Sequence, residues 1–546
     1  MSRGVPGAAR GGRLGAVVAA AVLAGLPGAA PGVAAPGPPA GPVAGGAARA
    51  GAPHAPDVVV RKATVPGADG TRLAAKVYEP AGPGPFPLVV VPGPWISLPL
   101  DHVTRTGHYR ALAAAGYVVV AYDPRGFRRS GGTADLGGPA DTADLSRAVD
   151  WALEHTAADA RRIGALGASY GAVIALNGAA RDTRIRAVVS LSGWARLSDG
   201  FRVNGTRVAG VLRFQELFGR VDGRYGPDVE RAFDRAAAGE LDASAPWVRE
   251  RSPLTHVERL NRNGTAVLMV GEWDDPLVPA GGTGALLDLL TGPRQLRMYR
   301  GGHSDSHTTA TGVVARPPVW ERAADWLDRH VRDRGRRAPG QRSTPPVVLQ
   351  PRTGGPLEEY AGWSALQESA RPVPLEPGPG AGALVAGLAS AAESGPFPVA
   401  GPLDSAGVPA VTAWPLLAPP AAVASLGAPL SRAAALRGHA LVDGVLVPGS
   451  ADGTVVGHLY DVGPLGSARL LAHAPYTFRG RIPGTAHRFA LRLPATAWDV
   501  PAGHRLGVVF DTVDHRYTGE HPVGAVIEVV PSSLRLTAPL TGVRRP

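Results

Sequence analysis

Ser169 stands in Gly167-Ala168-Ser169-Tyr170-Gly171, between the apolar run Ile163–Leu166 and the Ala-rich stretch Ala172–Leu176. A glycine two residues to either side lets a strand and a helix meet in a turn so tight that the serine hydroxyl is pushed out on a strained backbone. That hydroxyl is a weak nucleophile at neutral pH and needs a base. His303, in Gly301-Gly302-His303-Ser304-Asp305-Ser306-His307, is the candidate. A carboxylate must then orient the imidazole and stabilise its positive charge. It comes from Gly271-Glu272-Trp273-Asp274-Asp275-Pro276-Leu277-Val278-Pro279. Asp274, three residues after Gly271, is placed first. Asp275, directly before Pro-Leu-Val-Pro, is the alternative. His307 is the rival of His303 and reads as an exposed loop histidine. Asp305 follows His303 too closely to orient it. The chemistry is acyl transfer, and it needs two N–H donors for the oxyanion. One is the backbone of Tyr170. The other comes from the loop after Leu88–Val91, where Pro94 has no N–H, so Trp95 must supply it through its backbone or its indole.

The elements around these residues fit that chemistry. Pro87–Val91, Tyr117–Tyr122, Ala187–Leu191, Ala266–Val270 and Leu296–Tyr299 are apolar runs of the length of strands buried on both faces. Helical patterns alternate with them, including Asp141–His155 with Leu145, Val149 and Leu153 on one face. Alternating strands and helices imply a parallel sheet with right-handed crossovers. Ser169, the acid and His303 each follow the C-terminal end of a strand, the edge at which such sheets bind ligands. The order nucleophile, acid, histidine is that of an α/β-hydrolase. Val58–Thr64 and Leu73–Tyr78 flank Gly67-Ala68-Asp69-Gly70 as a hairpin. Residues 194–258 interrupt the alternation and read as a helical cap insertion. Its Trp194, Phe214 and Phe218 are candidate pocket residues, and Asp199, Glu216, Asp222, Asp228 and Glu230 are its acids.

The expected organisation is a signal peptide over 1–30, a Pro/Ala/Gly-rich linker over 31–56, a catalytic domain over 57–333 and a linker over 334–345. A β-sandwich (jelly roll) over 346–546 completes the chain. Short period-two runs such as Arg488–Leu493 and Arg505–Phe510 mark that last domain. Arg3, Arg10 and Arg13 before the apolar Leu14–Leu26 suggest export to the outside or the cell surface, with no membrane span left after cleavage. The net charge of +11 is carried almost wholly by Arg, without dense basic runs interleaved with aromatics outside the short Arg332–Arg337 stretch, which argues against a nucleic-acid partner. The absence of cysteine excludes disulfides, thiolate chemistry and zinc–cysteine sites. No metal or cofactor is expected.

Asp69-Gly70-Thr71-Arg72-Leu73, Asp123-Pro124-Arg125-Gly126 with Ser130-Gly131-Gly132, Asp144–Trp151, Gly167–Gly171, Ser252-Pro253-Leu254, the Asp274 region and His303 together carry a resemblance. So do Leu459-Tyr460-Asp461-Val462, Gly466–Leu470 and Pro501–Leu506 in the C-terminal half. The chain resembles the Xaa-Pro dipeptidyl-peptidase/cocaine-esterase (CocE/NonD) family of serine hydrolases over roughly 57–546. The resemblance implies a jelly-roll C-terminal domain and hydrolysis of peptides after Xaa-Pro, or of small esters and amides. The family often places an oxyanion-hole tyrosine in a Pro-Tyr dipeptide; here the dipeptide is Pro94-Trp95. The sequence ranks esterase or amidase activity ahead of Xaa-Pro dipeptidyl peptidase activity. An acyltransferase and a catalytically inactive binding protein rank behind both. Asp123 and Arg125 read as structural, tying loops beneath the site.

Overall fold

The structure, a computed structural model, describes residues 57–96, 99–308, 318–333, 345–378, 382–395 and 410–542, with residues 400 and 403. The proposed signal peptide and first linker lie outside the described residues, as does nearly all of the second linker. Among the described residues, no helix is long and apolar enough to cross a membrane.

Strands β1 (Val58–Pro66) and β2 (Arg72–Pro80) form the expected hairpin, with Gly70 at φ 81° in its turn. β3 (Phe86–Pro92), β4 (Val118–Tyr122), β5 (Ala158–Ala168) and β6 (Ile185–Leu191) follow. The helices between them are α1 (Pro99–Ala114), α2 (Pro139–His155) and α3 (Tyr170–Ala179). After the cap come β9 (Ala266–Glu272) and β10 (Arg294–Tyr299), with β7 (Arg202–Val203) and β8 (Thr206–Arg207) making a small hairpin inside the cap. Strands β3 to β6, β9 and β10 pair in parallel, and β2 joins antiparallel to β4. Leu88, Val89, Val90 and Val91 are 0–1% exposed, and each such side chain contributes on the order of 1.5–3 kcal/mol by leaving water.

The hydrolase sheet does not stop at the second linker. β11 (Val347–Leu349) adds parallel to β10, and β12 (Glu358–Tyr360) adds antiparallel to β11, giving ten strands in the order β1-β2-β4-β3-β5-β6-β9-β10-β11-β12. The first residues assigned to the C-terminal domain therefore belong structurally to the catalytic sheet. Val347-Val348-Leu349 are buried as fully as the central strands.

The cap is helical, as expected: α4 (Ala209–Asp222), α5 (Pro227–Ala238) and α6 (Pro246–Glu250). In α5, Pro227 opens the helix, Asp228 and Glu230 sit in its first turn, and Gly239 ends it in the left-handed conformation. Its buried Val229, Ala232, Phe233 and Ala236 follow the i, i+3, i+4, i+7 spacing.

From Ala370 onward, the chain forms two antiparallel sheets of eight and six strands. Along Leu441–Pro448 every second residue is buried, the signature of a sheet with one face on a core. All ten residues of Gly453–Val462 are buried, so both faces of that strand are covered. The Pro/Ala-rich stretch 370–435, opaque in sequence, contributes short strands such as Ala370–Val373 and Val423–Gly427. The sandwich touches the cap: Thr206 Oγ1 lies 2.6 Å from Thr477 Oγ1, and Arg479 donates to the carbonyl of Gly205 at 2.8 Å.

Candidate active site

β5 runs into Ser169 and α3 begins at Tyr170. Ser169 has φ 53° and ψ −118°, a conformation that costs a non-glycine residue on the order of 1–3 kcal/mol. The flanking glycines are required by contact. A Cβ on Gly167 would lie 2.2 Å from the backbone of Gly171, and one on Gly171 would lie 2.1 Å from the Pro92 carbonyl. The Ser169 N–H donates to Leu191 O at 2.7 Å, fixing the turn to the end of β6.

His303 lies in the loop after β10. Its Nε2 is 2.9 Å from Ser169 Oγ and its Nδ1 is 2.7 Å from Asp275 Oδ2. Asp275 is the carboxylate at the imidazole, which corrects the placement of Asp274 ahead of it. The reason lies in the turn after β9. Asp275 Oδ1 accepts from the N–H groups of Leu277 and Val278 at 2.8 and 3.0 Å, so its side chain folds over the Pro276 turn toward the histidine. Asp274 projects the other way and pairs with Arg352 at 2.8 Å. Burial alone would lower the His303 pKa, but the charge and hydrogen bond of Asp275 more than offset it, and the net shift is upward.

His307 is not the exposed loop residue expected. It is 1% exposed, and its Nε2 lies 2.9 Å from Ser192 Oγ, not from Ser169. Burial pushes its pKa down to about 3, so it stays neutral. Asp305 closes the histidine loop by accepting from the Gly302 N–H at 2.8 Å; burial pushes its pKa up to about 6. Glu272, which sequence reasoning passed over, ends β9 fully buried. It accepts from Ser192 Oγ and from Ser306 Oγ, tying β6 to the histidine loop. A glutamate directly after a strand glycine was the one signal for it in the sequence.

Tyr170 is the first residue of α3, so its N–H has no acceptor within the helix. Its side chain points the other way, wholly buried, and its hydroxyl donates to Asp141. The indole of Trp95 is committed: Nε1 donates to Gln215 O at 3.1 Å, and the ring packs on Phe127, Tyr170 and Tyr225. That leaves the backbone N–H of Trp95 as the candidate donor of the two open in sequence. Arg125 lies between Asp144, at 2.8 Å, and Asp69, at 3.0 Å, and Arg128 pairs with Asp123 at 2.6 Å, so these residues join loops as expected.

Ser169 and His303 open onto a cavity of about 310 Å³ beneath the cap. Its walls are mostly apolar, with Trp95, Trp194, Phe201, Phe214, Phe233 and Trp247 contributing rings. Phe218 is not in that wall. Its ring packs at a tilt against that of Phe214, with ring centres 4.5 Å apart. None of the five cap acids lines the cavity. Glu216 and Glu230 pair with Arg220 at the surface, and Asp199 faces a separate cavity toward the sandwich. Among the described residues, no cluster of His, Asp and Glu could hold a metal ion.

Comparison with known proteins agrees with this architecture. Residues 69–305 match the X-Pro dipeptidyl-peptidase (S15 family) domain, and residues 339–544 match the X-Pro dipeptidyl-peptidase C-terminal non-catalytic domain. The chain is 26% identical to dipeptidyl aminopeptidase BIII of Pseudoxanthomonas mexicana over 202 residues, 36% of this chain and 26% of that one. It is 32% identical to the cocaine esterase of Rhodococcus sp. (strain MB1 Bresler) over 113 residues, 20% of this chain and 19% of that one. These alignments span about a quarter or less of each relative's length. An aminopeptidase from a marine sediment archaeon, Thaumarchaeota archaeon, superposes with a TM-score of 0.68 at 15% identity, over 89% of this chain and 96% of that one, and so shares its fold. The chain belongs to the X-Pro dipeptidyl-peptidase/cocaine-esterase (CocE/NonD) family of serine hydrolases.

Proposed function

We propose that this chain hydrolyses esters or amides of apolar acyl groups through an acyl-enzyme on Ser169. His303 takes the Ser169 proton as Oγ attacks the carbonyl carbon, then returns it to the leaving alcohol or amine. Water, deprotonated by the same imidazole, releases the acid. Asp275 holds Nδ1–H and stabilises the imidazolium, and the Tyr170 and Trp95 N–H groups bind the oxyanion. The carrying observation is the chain Ser169–His303–Asp275, at 2.9 and 2.7 Å, on the wall of an apolar cavity.

Xaa-Pro dipeptidyl peptidase activity is the second reading, favoured by the two family domains. Such an enzyme must pair the substrate's free amine with a carboxylate. Among the described residues, Asp305 is the acidic one in the cavity wall, and it already closes its own loop. A wall whose described residues are largely aromatic and offer no dedicated carboxylate supports the ester or amide reading. A fluorophosphonate probe should label the chain and fail on Ser169→Ala. Medium-chain p-nitrophenyl esters should be turned over well ahead of Gly-Pro and Ala-Pro anilides; the reverse order would select the peptidase. Export is part of the proposal, resting on the Arg-led apolar stretch 14–26. N-terminal sequencing of protein from the culture medium tests it.

A further inference from the structure

We infer that the C-terminal sandwich sets the position of Asp275 through the Arg352–Asp274 pair, an inference that rests on Asp275 being the acid proposed above. Three consecutive side chains leave the end of β9. Trp273 Nε1 donates to Gln350 O at 2.8 Å, and its ring stacks on Trp363. Asp274 meets Arg352 at 2.8 Å. Only Asp275 turns to His303. The first two are thus held by residues 350–363, which follow the second linker.

Arg352 is itself rooted in the sandwich. Its backbone N–H donates to Ala497 O at 2.8 Å, and Nη1 donates to Leu471 O at 2.7 Å and Thr496 Oγ1 at 3.2 Å. Its guanidinium lies over the Trp498 ring. The Arg352 and Asp274 side chains are 7% and 18% exposed. A pair this sheltered is screened less than a surface ion pair, and loss of one partner strands the other's charge. Successive Cα atoms are about 3.8 Å apart and joined by a planar peptide, so a displaced Asp274 carries Asp275 with it. Arg352 and Asp274 touch neither substrate nor His303 and are positioning residues.

The test uses the full chain, with Arg352→Gln and Asp274→Asn assayed on a p-nitrophenyl ester across pH. Both should lower kcat about 10- to 100-fold with KM within about twofold of the parent, the cost of a misplaced catalytic group. Both should also move the acidic limb of kcat/KM to lower pH, because His303 loses part of the hold of Asp275. The other acids bearing on His303, Glu272 and Asp305, are kept in both variants. A purely through-space effect would shift the limb in opposite directions, since one variant removes a cation and the other an anion. Opposite shifts, or folded variants with lowered Tm and unchanged kcat, overturn the inference. Should Arg352→Gln not fold, the isosteric Asp274→Asn gives the same readouts, and Asp274→Arg with Arg352→Asp should recover part of kcat. An inactive parent chain overturns the functional reading as well; an active parent with unaffected variants overturns this inference alone.

Discussion

Asp275 meets Nδ1 of His303 at 2.7 Å, while its sequence neighbour turns away to Arg352. Asp275→Asn should therefore lower kcat by about 10⁴, because an amide that donates to Nδ1 selects the wrong imidazole tautomer. Asp274→Asn should lose far less. Ester hydrolysis at saturating substrate separates the two, and equal losses would mean that Asp275 does not orient the imidazole.

The pH dependence follows from the same contact. In the proposed mechanism His303 must be neutral to accept the serine proton, and Asp275 holds its pKa above the ordinary value of 6.5. The kcat/KM profile should rise with pH through a midpoint above 6.5. In Asp275→Asn the raising charge is gone while burial remains, so the residual activity should titrate lower. The stability linkage has the opposite slope. A base whose pKa is raised on folding contributes its stabilisation below the unfolded pKa and loses it as pH climbs through the folded one.

Much of this site was legible in sequence because the chemistry uses local signals. A small-residue elbow, a histidine and an acid, each after a β-strand, need no knowledge of packing. The choice between Asp274 and Asp275 did need it, since it depends on which carboxylate the Pro276 turn folds over and which finds Arg352, 78 positions later. The second oxyanion donor was open for the same reason: only the cap helix shows that the Trp95 indole is spent on Gln215. That β11 and β12 pair with the catalytic sheet is invisible in sequence, because a three-residue apolar run carries no mark of the sheet it will join. His307 reads as exposed because nothing in a Ser/Asp/His loop announces that its Nε2 will meet the buried Ser192 hydroxyl.

Beneath the elbow, Asp141 is 1% exposed and accepts from the Tyr170 hydroxyl and the Gly137 N–H. Burial, together with nearby Asp135, pushes its pKa up to about 7. A carboxyl whose pKa is raised on folding favours the native state at low pH and ceases to as pH rises from about 4 through 7. The parent should lose thermal stability between pH 5 and 8, and Asp141→Asn, which cannot ionise, should lose less. Melting curves at both pH values decide it; parallel loss in the two proteins would show that Asp141 is already ionised at pH 5.

The cavity wall gives a contrast between neighbours on one helix face. Phe214 lines the cavity, whereas Phe218 lies behind it. Phe214→Ala should enlarge the acyl site and move the preferred p-nitrophenyl ester to a longer chain. Phe218→Ala should leave that preference in place. A shift of chain-length optimum in Phe218→Ala alone would place the acyl group elsewhere.

Ser169 holds φ 53°, a conformation that glycine adopts without penalty and alanine does not. Both Ser169→Gly and Ser169→Ala remove the proposed nucleophile and should abolish labelling and turnover. They should differ in stability, with glycine the more stable by about 1 kcal/mol, because it relieves strain that alanine keeps. The entropy glycine loses on folding works against this gain. A glycine variant less stable than alanine in chemical denaturation would mean that the elbow is not strained at Ser169, and that the close contacts of Gly167 and Gly171 alone hold the turn.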